Sequence, residues 1–174
     1  MIGQTLIYSN RKLTRFPDIP GKTIIEKLDL SNNKIVDFTG IRSYQKLKQL
    51  ILDFNPKFSS FRGITDFVLP ELNNENKITT LNSLTNFSCQ KTPLGNSPNI
   101  VLMATIVFGD NLKYVNGITI SNSIYKLASS LRNEIFDLLI NGWIITSTNP
   151  IRILNVDNRK RKIIYPKLNS NNKT

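Results

Sequence analysis

Apolar residues return along the first half of the chain with a period of 22. Ile25, Leu28, Leu30, Ile35, Phe38 and Ile41 recur as Leu47, Leu50 and Leu52 and then, one residue late beside Pro56, as Phe58, Phe61 and Ile64. Stepping back by the same interval finds Leu6, Tyr8, Leu13, Phe16 and Ile19. Within each unit the alternation around Leu28-Asp29-Leu30 and Leu50-Ile51-Leu52 has period two, which predicts a short strand with its leucines in the core and the residue between them outside. Asn33 and Asn55 stand where that strand ends, with Arg11 at the equivalent place in the first unit. An asparagine at such a turn can bond backbone groups that no strand ladder satisfies. Phe38 and Phe61 are then expected to fill the wider side of the core before Gly40 and Gly63 turn the chain back.

The third unit is irregular. Leu84, Phe87, Cys89, Thr92, Pro93 and Leu94 fit the same pattern but begin 37 residues after Leu47. Leu69, Leu72, Asn76, Ile78 and Leu81 fit a shortened repeat between them, and a loop through ELNNENKITT is the alternative. Beyond it, Ser97 and Pro98 are placed to open a helix over Ile100–Phe108 that is apolar almost all round and ends at Gly109. Ser121 is placed to cap a second helix, whose stripe of Ile124, Leu127, Leu131, Ile135 and Leu138 runs until Gly142. That stripe is expected to pack on the chain's own core, with a partner as the alternative. WIITSTNP and IRILNVDN are β-prone, and Asp157-Asn158 is placed to turn the chain into RKRKIIYP, which predicts a small hairpin followed by an extended tail.

The segments IIEKLDLSNNKI and KLKQLILDFNPKF resemble the leucine-rich-repeat signature LxxLxLxxNxI. LKYVNGITI, residues 112–120, is similar to the cap sequence that closes short members of that family. The resemblance covers residues 5–120, with Asn116 where the family's cap commonly has aspartate. It implies an α/β fold: a short right-handed leucine-rich-repeat solenoid of three to four repeats with a helical C-terminal cap. The organisation expected is repeats over 1–91, a cap with two helices over 92–142, and a basic extension over 143–174.

Charge changes this picture mainly at the end of the chain. The net charge is +11; residues 1–151 carry 16 basic and 11 acidic side chains, whereas residues 152–174 carry seven basic and one acidic. The basic residues Arg152, Arg159, Lys160, Arg161, Lys162 and Lys167 are therefore expected to form a tail that anchors to an acidic surface, acts as an import signal, or is simply a solvated face. The single cysteine, Cys89, excludes an internal disulfide and falls in a core position, where a buried inert thiol is expected. The opening MIGQTLIYSNRKLTRFP has no signal-like apolar stretch and no window is long enough for a spanning helix, so a soluble intracellular protein is expected.

Without histidine, Ser-His-Asp and Cys-His catalysis and Cys/His zinc sites are excluded. GxxxxGK[ST] and GxGxxG motifs are missing, and Glu71 and Glu75 lie in a polar stretch where nothing would raise a carboxyl pKa. No enzyme activity, cofactor, metal or small-molecule substrate is expected, and no membrane association.

Recognition by a surface is left. Aligning the units predicts exposed columns on the concave face: Thr5, Lys27, Gln49 and Asn86; Ile7, Asp29, Ile51 and Ser88; Ser9, Ser31, Asp53 and Gln90. They mix residue types and lack the interleaved cations and stacking aromatics of a nucleic-acid groove, so the expected ligand is protein. The resemblance to short axonemal, ciliary, spliceosomal and phosphatase-regulator members of the family implies an assembly subunit or scaffold. A microtubule-based setting is expected, in the cytoplasm at the cytoskeleton or the axoneme of a cilium or flagellum, because tubulin surfaces are acidic. The alternatives are a ribonucleoprotein subunit whose NRKRK segment touches phosphate, with a nuclear location, and a regulatory subunit that binds an enzyme through the concave face.

Overall fold

The structure, a computed structural model, describes residues 4–65 and 67–165. In chain order, strands β1 (Gln4–Ile7), β2 (Ile25–Asp29), β3 (Gln49–Ile51), β4 (Pro70–Leu72), β5 (Ile78–Thr80) and β6 (Asn86–Ser88) precede helix α1 (Ile100–Phe108). Strands β7 (Tyr114–Val115) and β8 (Ile118–Thr119) lead into helix α2 (Asn122–Ile140), and β9 (Trp143–Thr148), β10 (Ile151–Asn155) and β11 (Arg161–Ile164) follow.

Alternation fixes the register of the largest sheet. Leu6, Leu28, Leu50, Phe87 and Val115 are Cα partners across β1, β2, β3, β6 and β7, which run parallel, and β8 pairs antiparallel with β7. A slip of one residue would turn these apolar side chains into solvent, so the buried column holds the ladder in place. Behind the sheet, Phe38 stacks on Phe61 with centroids 5.8 Å apart, and Phe61 meets Phe108 of α1 edge-on at 5.9 Å. All three rings are fully buried, and such pairs add about 1 kcal/mol each beyond the area they bury. The phenylalanines thus join the sheet's loops and α1 into one core.

The expected right-handed leucine-rich-repeat solenoid of three to four repeats with a helical cap is corrected. Among the described residues the chain is a small mixed α/β fold, mostly strand, with two α-helices and short strands divided among three sheets. The large sheet is itself mixed, since β7 and β8 form a hairpin at its end. The shortened repeat expected around residues 69–81 is instead the antiparallel hairpin β4–β5. Leu69, Leu72 and Leu81 are exposed there, and the polar run Asn73-Asn74-Glu75-Asn76 makes a turn in which Asn73 Oδ1 accepts from the N–H groups of Glu75 and Lys77. Apolar spacing alone suggested a repeat; turn chemistry decides for a hairpin. Its second strand is tied to α2, because Ile78 N–H donates to Asn133 Oδ1 at 2.6 Å.

The start of α1 is also corrected. Asn99, not Ser97, holds the N-cap position and caps nothing with its side chain, while Ile100 N–H bonds the Ser97 backbone carbonyl. The helix needs little capping help because every residue but Val101 is buried, and its stability comes from packing. α2 is capped as its sequence suggests, with Ser121 Oγ accepting from Ile124 N–H; it packs along α1, and its Leu131 and Ile135 are fully buried.

The last three strands form an antiparallel sheet ordered β11-β10-β9. Ile145, Ile151 and Ile153 are buried on its inner side. β9 is fastened to α1 by Asn99 Nδ2, which donates to the Ile145 carbonyl, and by Ile145 N–H, which donates to Met103 Sδ. No helix among the described residues is long and apolar enough to cross a membrane.

Candidate interaction surfaces

The parallel strands carry two faces, and the outward one gathers polar side chains in rows. Thr5, Lys27, Gln49 and Asn86 are successive Cα partners across β1, β2, β3 and β6, as are Ile7, Asp29, Ile51 and Ser88. Ser31, Asp53 and Gln90 line up one step further on, where Asn10, Asn32 and Phe54 donate their N–H groups to the carbonyls of Ser31, Asp53 and Gln90. Ser9 begins that row, two residues beyond Ile7.

Several of these groups are held by the fold. Asp53 Oδ1 accepts from Ser88 Oγ at 2.6 Å and from Gln90 N–H at 2.7 Å, and Asp29 Oδ1 accepts from Ser31 N–H at 2.9 Å. A carboxylate fixed this way presents its charge without losing further side-chain freedom on binding, which favours affinity. Around Gln49, Ile51, Asp53, Asn86 and Ser88 the surface sinks into a depression of about 310 Å³.

Tyr114 also lines this depression and is 43% exposed. It extends the Thr5 row, since it is the Cα partner of Asn86. Stepping by 22 residues does not reach it, because β7 follows β6 after a longer excursion through α1. Its usable signal was the exposed aromatic beside the core residue Val115. With Ile7, 62% exposed at the other end of the face, it gives the surface apolar contact area at both edges.

Cys89 lies under this face rather than on it. Its side chain is fully buried and its N–H donates to Asn116 Oδ1 at 2.8 Å. Burial pushes the thiol up to about 12, with hydrogen bonding to Thr92 opposing and the nearby Asp53 charge adding. Such a thiol is a packing group.

The basic segment does not hang free as a tail over its described length. Arg152 lies within β10, Arg159 and Lys160 in the turn that follows, and Arg161 and Lys162 in β11; all five are exposed. Lys167 lies outside the described residues. The turn is pinned to the rest of the molecule by the ion pair of Asp157 with Arg62 and by Val156 N–H, which donates to the Gly142 carbonyl. A second depression, of about 410 Å³, lies on this sheet between Arg152, Leu154, Arg161 and Ile163. The two surfaces offer hydrogen bonding, charge and apolar contact. Among the described residues, no three Cys, Asp or Glu side chains gather as metal ligands would.

No protein-family model matches the chain, and no curated protein matches it.

Proposed function

We propose that this chain is a non-catalytic subunit of a larger assembly, binding a protein partner through the exposed strand face of its six-stranded sheet. The observation that carries this reading is the depression built across β3, β6 and β7, where Asp53 is fixed by two hydrogen bonds beside Ile51 and Tyr114. Fixed polar groups next to an aromatic anchor are the chemistry of a protein interface, in which a buried aromatic supplies affinity and placed polar groups supply specificity. The resemblance of residues 5–120 to short leucine-rich-repeat proteins supports the same reading. A microtubule-based structure, at the cytoskeleton or an axoneme, is the proposed setting because the net charge of +11 suits an acidic polymer.

A ribonucleoprotein subunit is the second reading, favoured by the exposed cations Arg159, Lys160, Arg161 and Lys162. Co-sedimentation of the full chain with microtubules, alongside binding to single-stranded RNA at low and high salt, separates the two. The expected result is co-sedimentation that Tyr114→Ala weakens without altering thermal unfolding. RNA binding with no microtubule binding would replace the proposal by the second reading.

A further inference from the structure

The C-terminal sheet carries a second surface with its own chemistry. Arg152 is the Cα partner of Ile163, and Leu154 that of Arg161, so two guanidinium groups and two aliphatic side chains alternate as a chequerboard on its outer face. Side chains diagonal across a strand pair stand about 7–8 Å apart. Asp157 is the one carboxylate in residues 143–165, and it is engaged by Arg62. Among the described residues, no acidic side chain pairs with Arg152, Arg161 or Lys162. The face therefore holds uncompensated positive charge. Among the described residues β11 is also an edge strand, with no strand paired to its outer side.

We propose that this edge and face take an extended acidic peptide that adds to β11 as a further strand. Reading along β11, Arg161, Lys162, Ile163 and Ile164 present two cations and then two aliphatics. The complementary segment carries two adjacent carboxylates and two adjacent aliphatic residues. Its backbone pairs with the open edge, one carboxylate meets Arg161 with Arg152 behind it, the other meets Lys162, and its aliphatic side chains cover Ile163 and continue the buried line at Ile164. The positions between the guanidinium groups favour peptide over single-stranded nucleic acid: they are Leu154 and Ile163, where base binding needs aromatic platforms, and the exposed Tyr165 lies beyond the end of β11. This site is separate from the strand face of the larger sheet, and it stands whether or not the microtubule setting does.

The test uses the full chain and a labelled short peptide repeating Glu-Glu-Val-Val, followed by fluorescence anisotropy at two salt concentrations. Binding is expected to weaken as salt rises and to fall about tenfold or more in the Arg152→Ala, Arg161→Ala double variant. Both side chains are exposed, so thermal unfolding of that variant is expected to match wild type. Tyr114→Ala is expected to leave peptide affinity unchanged, which keeps failure here distinct from failure of the strand-face proposal. Three results would overturn the inference: equal affinity of the double variant, equal affinity for a peptide with proline at alternate positions, or tighter binding of an oligouridylate of the same charge.

Discussion

Asn55 Oδ1 accepts a hydrogen bond from the backbone N–H of Ile35, 20 residues earlier and 2.8 Å away. The same amide donates through Nδ2 to the carbonyls of Leu30, at 3.0 Å, and Leu52, at 2.9 Å. Asn33 repeats the arrangement one unit back, accepting from Arg11 and Leu13 and donating to Tyr8 and Leu30. Each amide thus joins its own unit to the one before it, at the point where the strand ladder stops.

Replacing Asn55 by alanine takes that partner from the buried Ile35 N–H and from the Leu52 carbonyl, while the Leu30 carbonyl keeps its bond from Asn33 Nδ2. At about 1–3 kcal/mol for each unsatisfied group, a loss of roughly 2 kcal/mol or more is expected in urea unfolding. Asn55→Asp should be no better, since a carboxylate cannot donate to the two carbonyls. Asn73→Ala, which removes an acceptor from an exposed turn, should cost less than about 1 kcal/mol. An Asn55→Ala protein within about 0.5 kcal/mol of wild type would remove the amide from any stabilising role.

The strand register makes a sharper contrast. Leu30 and Leu52 are fully buried, whereas Lys27 and Gln49 stand on the outer face. Leu30→Asp and Leu52→Asp are each expected to abolish cooperative unfolding, because each puts a carboxylate into a continuous apolar core. Lys27→Ala and Gln49→Ala should shift stability by about 0.5 kcal/mol or less. A soluble Leu52→Asp protein with unchanged thermal unfolding would contradict the register.

Period-two alternation made the strand positions around Leu28 and Leu50 legible in the sequence, since a buried face constrains residue type strongly. The architecture inferred from them was not legible. A periodic motif says which residues are buried, but not that the intervening 69–81 segment folds back as a hairpin or that β7 and β8 end the sheet antiparallel. Tyr114 escaped for the same reason, lying off the 22-residue step. For the basic segment, composition located the charge and the turn residues Asp157-Asn158 pointed to a hairpin, but the chequerboard that cross-strand pairing creates from Arg152, Leu154, Arg161 and Ile163 needs the register. Arg132, which lies outside the apolar stripe of α2, is 4% exposed, and its non-local partners explain why.

Those partners are the last carbonyls of α1. Arg132 Nε donates to the Ile106 carbonyl at 3.1 Å, and its Nη2 to the Thr105 carbonyl and to Asp110 Oδ1, both at 3.2 Å. The guanidinium stands at the negative end of the helix, where a cation is favoured. Arg132→Ala is expected to cost about 2 kcal/mol or more, because the Ile106 carbonyl loses its donor and a void opens, whereas the Thr105 carbonyl keeps the Gly109 N–H. The side chain of Asp110 is 71% exposed, so water screens its share of the ion pair and Asp110→Asn should cost less than about 1 kcal/mol. Chemical denaturation of both single variants checks the asymmetry; equal costs would mean that the ion pair, and not the helix end, anchors the arginine.

Alkaline pH should unfold this protein through two buried acids. Burial pushes the Cys89 thiol from 9.0 up to about 12, partly opposed by its hydrogen bond with Thr92. Burial likewise pushes the Tyr44 phenol from 10.0 up to about 12, with the nearby Tyr8 and Asp18 adding. The Tyr44 hydroxyl donates to the Pro17 carbonyl at 2.7 Å, a bond that its ionisation would end. Below pH 9 both groups are protonated in the folded and the unfolded chain, and neither makes stability depend on pH. Above it the unfolded chain releases these protons first, so it binds fewer than the folded chain and stability falls as pH rises, across the window from 9 to 12. Urea midpoints measured through that window are expected to fall, and to fall less steeply in Cys89→Ala and in Tyr44→Phe. At neutral pH an aromatic disulfide reagent should modify Cys89 only as fast as the protein opens. Immediate stoichiometric labelling of the folded chain, or a midpoint that holds level to pH 12, would show that the thiol and the phenol titrate in contact with water.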